Sequence, residues 1–176
     1  MTLRELVAVA YGNLAMAHYA VERGAQSYSR TAYMIRARLT KGLKSGAMSV
    51  GSMFDDETWK LTSGGRCSYC GAEEALVLDH LIPKHLGGLD TGDNLVPACR
   101  TCNGSKGAKD VLVWCRDRGV FPPLMILRRY LKIMVKEVEA AGAMDATLDS
   151  NEVRRLPFAI EELPTSRFPP PSSLRF

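Results

Sequence analysis

Two cysteine pairs, Cys67-Ser-Tyr-Cys70 and Cys99-Arg-Thr-Cys102-Asn103, bracket the stretch Leu78-Asp79-His80-Leu81-Ile82-Pro83 and decide how this chain is read. Each Cys-x2-Cys turn presents two thiolates on a tight knuckle, and a tetrahedral zinc ion takes four such soft ligands. Twenty-eight residues separate the pairs, enough for a hairpin that brings the knuckles together. Gly65, Gly71 and Gly104 beside them permit tight turns. The spacing therefore predicts structural zinc on Cys67, Cys70, Cys99 and Cys102. A redox dithiol is the competing reading. A zinc ribbon that only binds a partner satisfies the cysteines equally, so they do not by themselves specify an enzyme. The fifth, Cys115, reads as a small buried apolar residue.

Outward from this stretch the chain is ordinary globular material. It has 176 residues, 46% hydrophobic and 24% charged, with a mean hydropathy of -0.09. That composition excludes a disordered chain. No apolar run approaches the roughly 18 residues of a membrane helix. The nearest, Leu6 to Val21, is broken by Gly12, Asn13 and His18 and carries Arg4 and Glu5 together ahead of it. A secretory leader is thus not expected. A cytoplasmic, reducing setting follows as an expectation, and there paired cysteines hold metal more often than they form disulfides.

Apolar spacing predicts a helix over 2–22 with Thr2 as N-cap, and a second over 25–44. Between Glu22 and Gly46 lie six basic residues (Arg23, Arg30, Arg36, Arg38, Lys41, Lys44) against one acid, a cluster suited to a phosphate backbone. Glycines then loosen the chain and the acidic run Asp55-Asp56-Glu57 follows. Ala75-Leu76-Val77-Leu78 and Leu95-Val96-Pro97 read as short strands around a glycine-rich loop. A helix broken near Gly104 and Gly107 runs from Arg100 to Arg118, and another from Pro122-Pro123 to about Ala141. The composition divides the chain into a partly basic helical segment (1–50), a knuckle-bearing core (51–118), a C-terminal helix (119–146) and a Pro-rich extended tail (147–176).

Several short motifs now stand in one order: Cys67-Ser-Tyr-Cys70, Leu78-Asp79-His80-Leu81-Ile82-Pro83, Gly87-Gly88, Asp93-Asn94-Leu95-Val96 and Cys99-Arg-Thr-Cys102-Asn103-Gly-Ser-Lys106-Gly107. Over about Cys67 to Lys109 the chain resembles the HNH endonucleases, the ββα-metal nucleases with a cysteine-bound zinc. The resemblance implies an α+β, treble-clef-like core, zinc-stabilised and flanked by N- and C-terminal helices. It also implies a metal-dependent endonuclease that hydrolyses DNA phosphodiester bonds and leaves a 5′-phosphate and a 3′-hydroxyl.

The residue types suit that chemistry. Phosphodiester hydrolysis needs an activated water and a cation for developing negative charge. His80 is the candidate general base, since imidazole titrates near neutrality. Asp79 and Asn103 offer hard oxygen ligands, suited to Mg2+ or Mn2+. By resemblance, Asn94 belongs to the loop that orients the catalytic imidazole. The third motif position, often His in the family, is Asn103 here, which bears on the metal more than on the reaction.

His85, Lys84, Lys106, Arg100 and Lys109 are candidate DNA contacts. Lys106 stands one helical turn beyond Asn103, where it would face the same phosphate. The expected partner is DNA, with RNA left open. The flanking helices and the tail suit a protein partner or a second copy. A bacterial or phage setting such as restriction or anti-phage defence follows from the resemblance alone. Two alternatives stay open: a zinc-stabilised nucleic-acid or protein-binding module without catalysis, and a nuclease subunit latent until a partner engages it.

Overall fold

The computed structural model describes residues 1–51, 65–166 and 168–176. The acidic run Asp55-Asp56-Glu57 lies outside the described residues. The described residues form two compact units, one within 1–51, 134–156 and 163–176, the other within 65–133 and 157–162.

In the first unit, α1 (Leu3–Glu22) opens with a reciprocal cap. The Glu5 amide donates to Thr2 Oγ1 and the Thr2 amide to Glu5 Oε2, so two otherwise orphaned donors are satisfied. Its apolar stripe, including Leu3, Leu6, Val7, Leu14 and Ala17, is buried. α2 (Arg30–Lys44) begins five residues later than its apolar spacing predicts. Gly24 turns the chain at φ +62°, and the Ser29 hydroxyl accepts from the Ala32 amide, which fixes the start of the helix. The two helices approach closely at Gly12, where a Cβ would lie 2.2 Å from Thr40 Oγ1. The tail packs on this pair: Asn13 Nδ2 donates to the carbonyls of Pro164 and Ser166, Tyr28 Oη donates to the Pro169 carbonyl, and Phe168 is buried.

The second unit holds the knuckles. β1 (Leu76–His80) pairs antiparallel with β2 (Leu95–Cys99), Leu76 opposite Cys99 and His80 opposite Leu95. Both strands run two residues beyond the stretches read from sequence, so Asp79 and His80 lie within β1 and Cys99 closes β2. α3 (Arg100–Lys106) follows at once. It ends at Gly107, with φ +53°, as the glycine break predicts. α4 (Val111–Asp117) then starts on an Asp110 cap, and α5 (Leu124–Ala140) begins in this unit. A short α6 (Asn151–Arg154) precedes the tail. Leu81, Ile82, Val96, Trp114, Leu127 and Tyr130 form the core that backs the hairpin. Helices around a two-stranded sheet make the molecule α+β. No helix among the described residues is long and apolar enough to cross a membrane.

Candidate active site and metal centre

The hairpin brings the two knuckles face to face. The Sγ atoms of Cys67, Cys70, Cys99 and Cys102 lie within 4.8 Å of one another, and all five cysteines of the chain are free thiols. Cys70 and Cys99 are 3.8 Å apart, sulfur to sulfur. A zinc ion with bonds of about 2.3 Å would set tetrahedral sulfurs about 3.8 Å apart, so both donor set and spacing fit zinc. The first knuckle is built by the Cys67 amide donating to Ala72 O and the Gly71 amide to Cys67 O. The second is the start of α3, where the Cys102 amide donates to Cys99 Sγ at 3.3 Å.

The thiols are electrostatically unequal. Burial pushes Cys67 up, but hydrogen bonds from the backbone at Cys99, Cys70 and Tyr69 outweigh it and bring the thiol down to about 7. Cys102 is pushed up, first by burial and then by hydrogen bonds with the side chains of Cys99 and Cys70. Four thiolates this close repel unless a cation sits among them.

Beyond the knuckles, β1 delivers Asp79 and His80 to different surroundings, as alternation along a strand requires. Asp79 turns inward and its side chain is only 6% exposed. Its Oδ2 accepts from Tyr69 Oη at 2.6 Å. Burial, then the negative charge of Asp79, holds the Tyr69 phenol well above its ordinary pKa, so it remains a donor. Asp79 Oδ1 accepts from Lys106 Nζ at 3.2 Å, and the same ammonium donates to the His80 carbonyl at 2.6 Å. Lys106 is thus buried, with 1% of its side chain exposed, and does not lie on an open phosphate-facing surface.

His80 is partly exposed, and its Nε2 lies 2.9 Å from Asp90 Oδ1. Lys84 Nζ holds the other Asp90 oxygen at 2.6 Å. Hydrogen bonds from Lys84 and then His80 lower the Asp90 pKa below the usual aspartate value, so the carboxylate is charged at neutral pH.

Asn94 is buried, and among the described residues no hydrogen bond joins its side chain to His80. It clamps the connecting loop: its Nδ2 donates to the carbonyls of Ile82 and Leu89, and its Oδ1 accepts from the Ile82 amide. Gly88 completes the clamp, since a Cβ there would lie 1.9 Å from the Ile82 carbonyl oxygen. Arg129 on α5 donates to the carbonyls of Gly92 and Asp93 and secures the far end of the loop. Asn103 lies half-buried on α3, one turn before Lys106. Among the described residues no hydrogen bond joins the side chains of Asp79, His80 and Asn103 to one another. Of the candidate DNA contacts, His85 and Arg100 are exposed, while the exposed Lys84 and Lys109 pair with Asp90 and Asp117.

Residues 67–109 match the family model for HNH endonucleases. This segment is an HNH module. Over 72 residues the chain is 31% identical to the CRISPR-associated endonuclease Cas9 of Corynebacterium diphtheriae, a match covering 36% of this chain and 7% of that protein. The chain therefore spans a small fraction of the relative it matches. No solved structure matches at comparable significance.

Reading the HNH module from sequence missed Tyr69 and Asp90. Tyr69 lies inside the first knuckle, where its polar reach depends on the hairpin closing over it. Asp90 lies in a loop whose course is set by the Asn94 clamp. The one available signal was a carboxylate within ten residues of a candidate base.

Proposed function

We propose that this protein is a metal-dependent HNH endonuclease that hydrolyses DNA, with His80 as general base and Asp79 and Asn103 as ligands of a divalent cation. The observation that carries the reading is the setting of His80: at the end of β1, in the hairpin whose other strand closes on the thiol cluster, with its ring tied through Nε2 to a charged carboxylate. An Nε2–H donated to Asp90 leaves Nδ1 as the lone-pair nitrogen, the state a base needs to take a proton from water. Asn94 holds the loop that carries Asp90 and thereby orients the ring indirectly. The donor oxygens of Asp79 and Asn103 suit Mg2+ or Mn2+. When bound, such a cation would stabilise charge on the phosphate and the departing 3′ oxygen. The zinc suggested by the thiol cluster would be structural, since all four of its positions are taken by cysteine.

One observation favours a second reading, a module that binds nucleic acid without cutting it: both oxygens of Asp79 are already engaged within the fold. Nicking of supercoiled plasmid separates the two. The wild-type chain with Mg2+ or Mn2+ should convert supercoiled to open-circular DNA, a chelator should stop it, and His80→Ala should lower the rate by at least about 100-fold while DNA binding and zinc content persist. Equal nicking by wild type and His80→Ala would sink the assignment.

A further inference from the structure

We infer that Lys106 is a resident cation for Asp79, and that a divalent metal ion must displace its ammonium from that carboxylate before the site can act. This rests on the proposed metal-dependent reading and deepens it.

Burial makes each of the two charges depend on the other. A lysine with 1% of its side chain exposed needs a compensating charge, and Asp79 supplies it at 3.2 Å. The reverse also holds: Asp79, nearly as buried, is neutralised by Lys106 and hydrogen-bonded by Tyr69. The two charges therefore satisfy each other without any metal. A divalent cation on Asp79 changes the balance. It would lie within a few ångströms of an ammonium in poorly solvated surroundings, where like charges repel strongly. The carboxylate cannot hold both at full strength.

The ammonium has a route out of the pairing. It already donates to the His80 carbonyl at 2.6 Å, at the end of the strand that presents the candidate base. Lys106 is also the last residue of α3 and precedes Gly107, so its stem leaves the helix at its most yielding point. Freed from Asp79, the charge would be drawn to the anionic substrate. The sequence expectation that Lys106 meets phosphate is then reconciled with its burial: the phosphate contact belongs to the metal-loaded state and the Asp79 contact to the metal-free one. Lys106 is in this sense a positioning residue, holding the Asp79 carboxylate aimed before the metal arrives.

Two measurements on the full-length, zinc-loaded chain test this without reference to turnover. The first is Mn2+ affinity, followed by the paramagnetic resonance signal of free Mn2+. Lys106→Met should bind Mn2+ about tenfold more tightly than wild type, and Asp79→Asn should abolish binding in either background. If wild type binds Mn2+ through Asp79 but folded Lys106→Met binds it no more tightly, the displacement idea is overturned and the metal reading survives. If wild type and Asp79→Asn bind alike, both fail together. The second needs no variant and covers a Lys106→Met chain that does not fold. Lys106 of the wild type should resist acetylation by a water-soluble succinimidyl ester and become at least about fivefold more reactive with Mg2+, by mass spectrometry, as its ammonium leaves the buried pairing. Reactivity unchanged by Mg2+ would overturn the proposal.

Discussion

At the residue scale the HNH module separates two neighbouring side chains by environment. Asp79 is sunk against Tyr69 and Lys106, while His80 stays partly open and leans on Asp90. The Asp79-His80 doublet was legible in the sequence because it stands between two cysteine knuckles in a recognisable order. Asp90 was not, because nothing in its local sequence says that a loop clamped by Asn94 and Gly88 will return it to the end of β1. Its role can be tested apart from folding, since it is exposed and its neighbours are solvated. If His80 is the general base proposed above, Asp90→Asn should lower the nicking kcat by about tenfold with little change in KM, because the ring would lose an orienting partner and not a substrate contact. Asp90→Glu should recover part of the loss. Steady-state kinetics on a plasmid substrate reads both. A change confined to KM would instead make Asp90 a DNA-facing charge.

At the element scale, a two-stranded hairpin has too little core to hold itself together in water. Here one end of the pairing, where Leu76 lies opposite Cys99, sits at the thiol cluster. Cys99 closes β2, caps α3 and faces Cys70 from the first knuckle, so one ion would bind strand, turn and helix at once. This was the most readable part of the fold, because Cys-x2-Cys spacing states its own geometry. Element lengths were less readable. β1 outruns its apolar run because backbone pairing continues through Asp79-His80 regardless of side-chain polarity, and β2 continues past Pro97 through the buried Ala98 and Cys99. α2 starts late because a serine cap and a left-handed glycine override an apolar spacing that reaches back to Tyr28. Cys102→Ser should drop zinc content from about one ion per chain to near zero and broaden or abolish the cooperative melting of the HNH module, by elemental analysis and thermal circular dichroism. A sharp melt with full zinc would remove Cys102 from the ligand set.

At the scale of the whole molecule, the net charge of +4 is modest, and its distribution carries the information. α2 holds Arg30, Arg36, Arg38, Lys41 and Lys44 with no acid along its length. Its exposed side also presents Tyr33 and Met34. Beside it runs a cleft of about 720 Å3 lined by Val9, Tyr33, Arg36, Ala37, Thr40, Lys41, Lys44 and Ser45. An acid-free helix has no i,i+4 ion pairs of its own, and that charge suits a polyanion. If the proposed endonuclease grips DNA there, the grip is to the phosphate backbone, without sequence choice, and its signature is salt. Replacing Arg38, Lys41 and Lys44 together by Gln should weaken duplex binding and lower the slope of log affinity against log salt by up to about 0.9 for each phosphate the protein no longer neutralises. Zinc content and kcat at saturating DNA should stay near wild type, because the substitutions touch neither the thiols nor His80. Fluorescence anisotropy over a salt series on a His80→Ala background, where cutting does not interfere, measures the slope directly. An unchanged slope would mean that the charges of α2 face only water and that the HNH module holds its substrate alone.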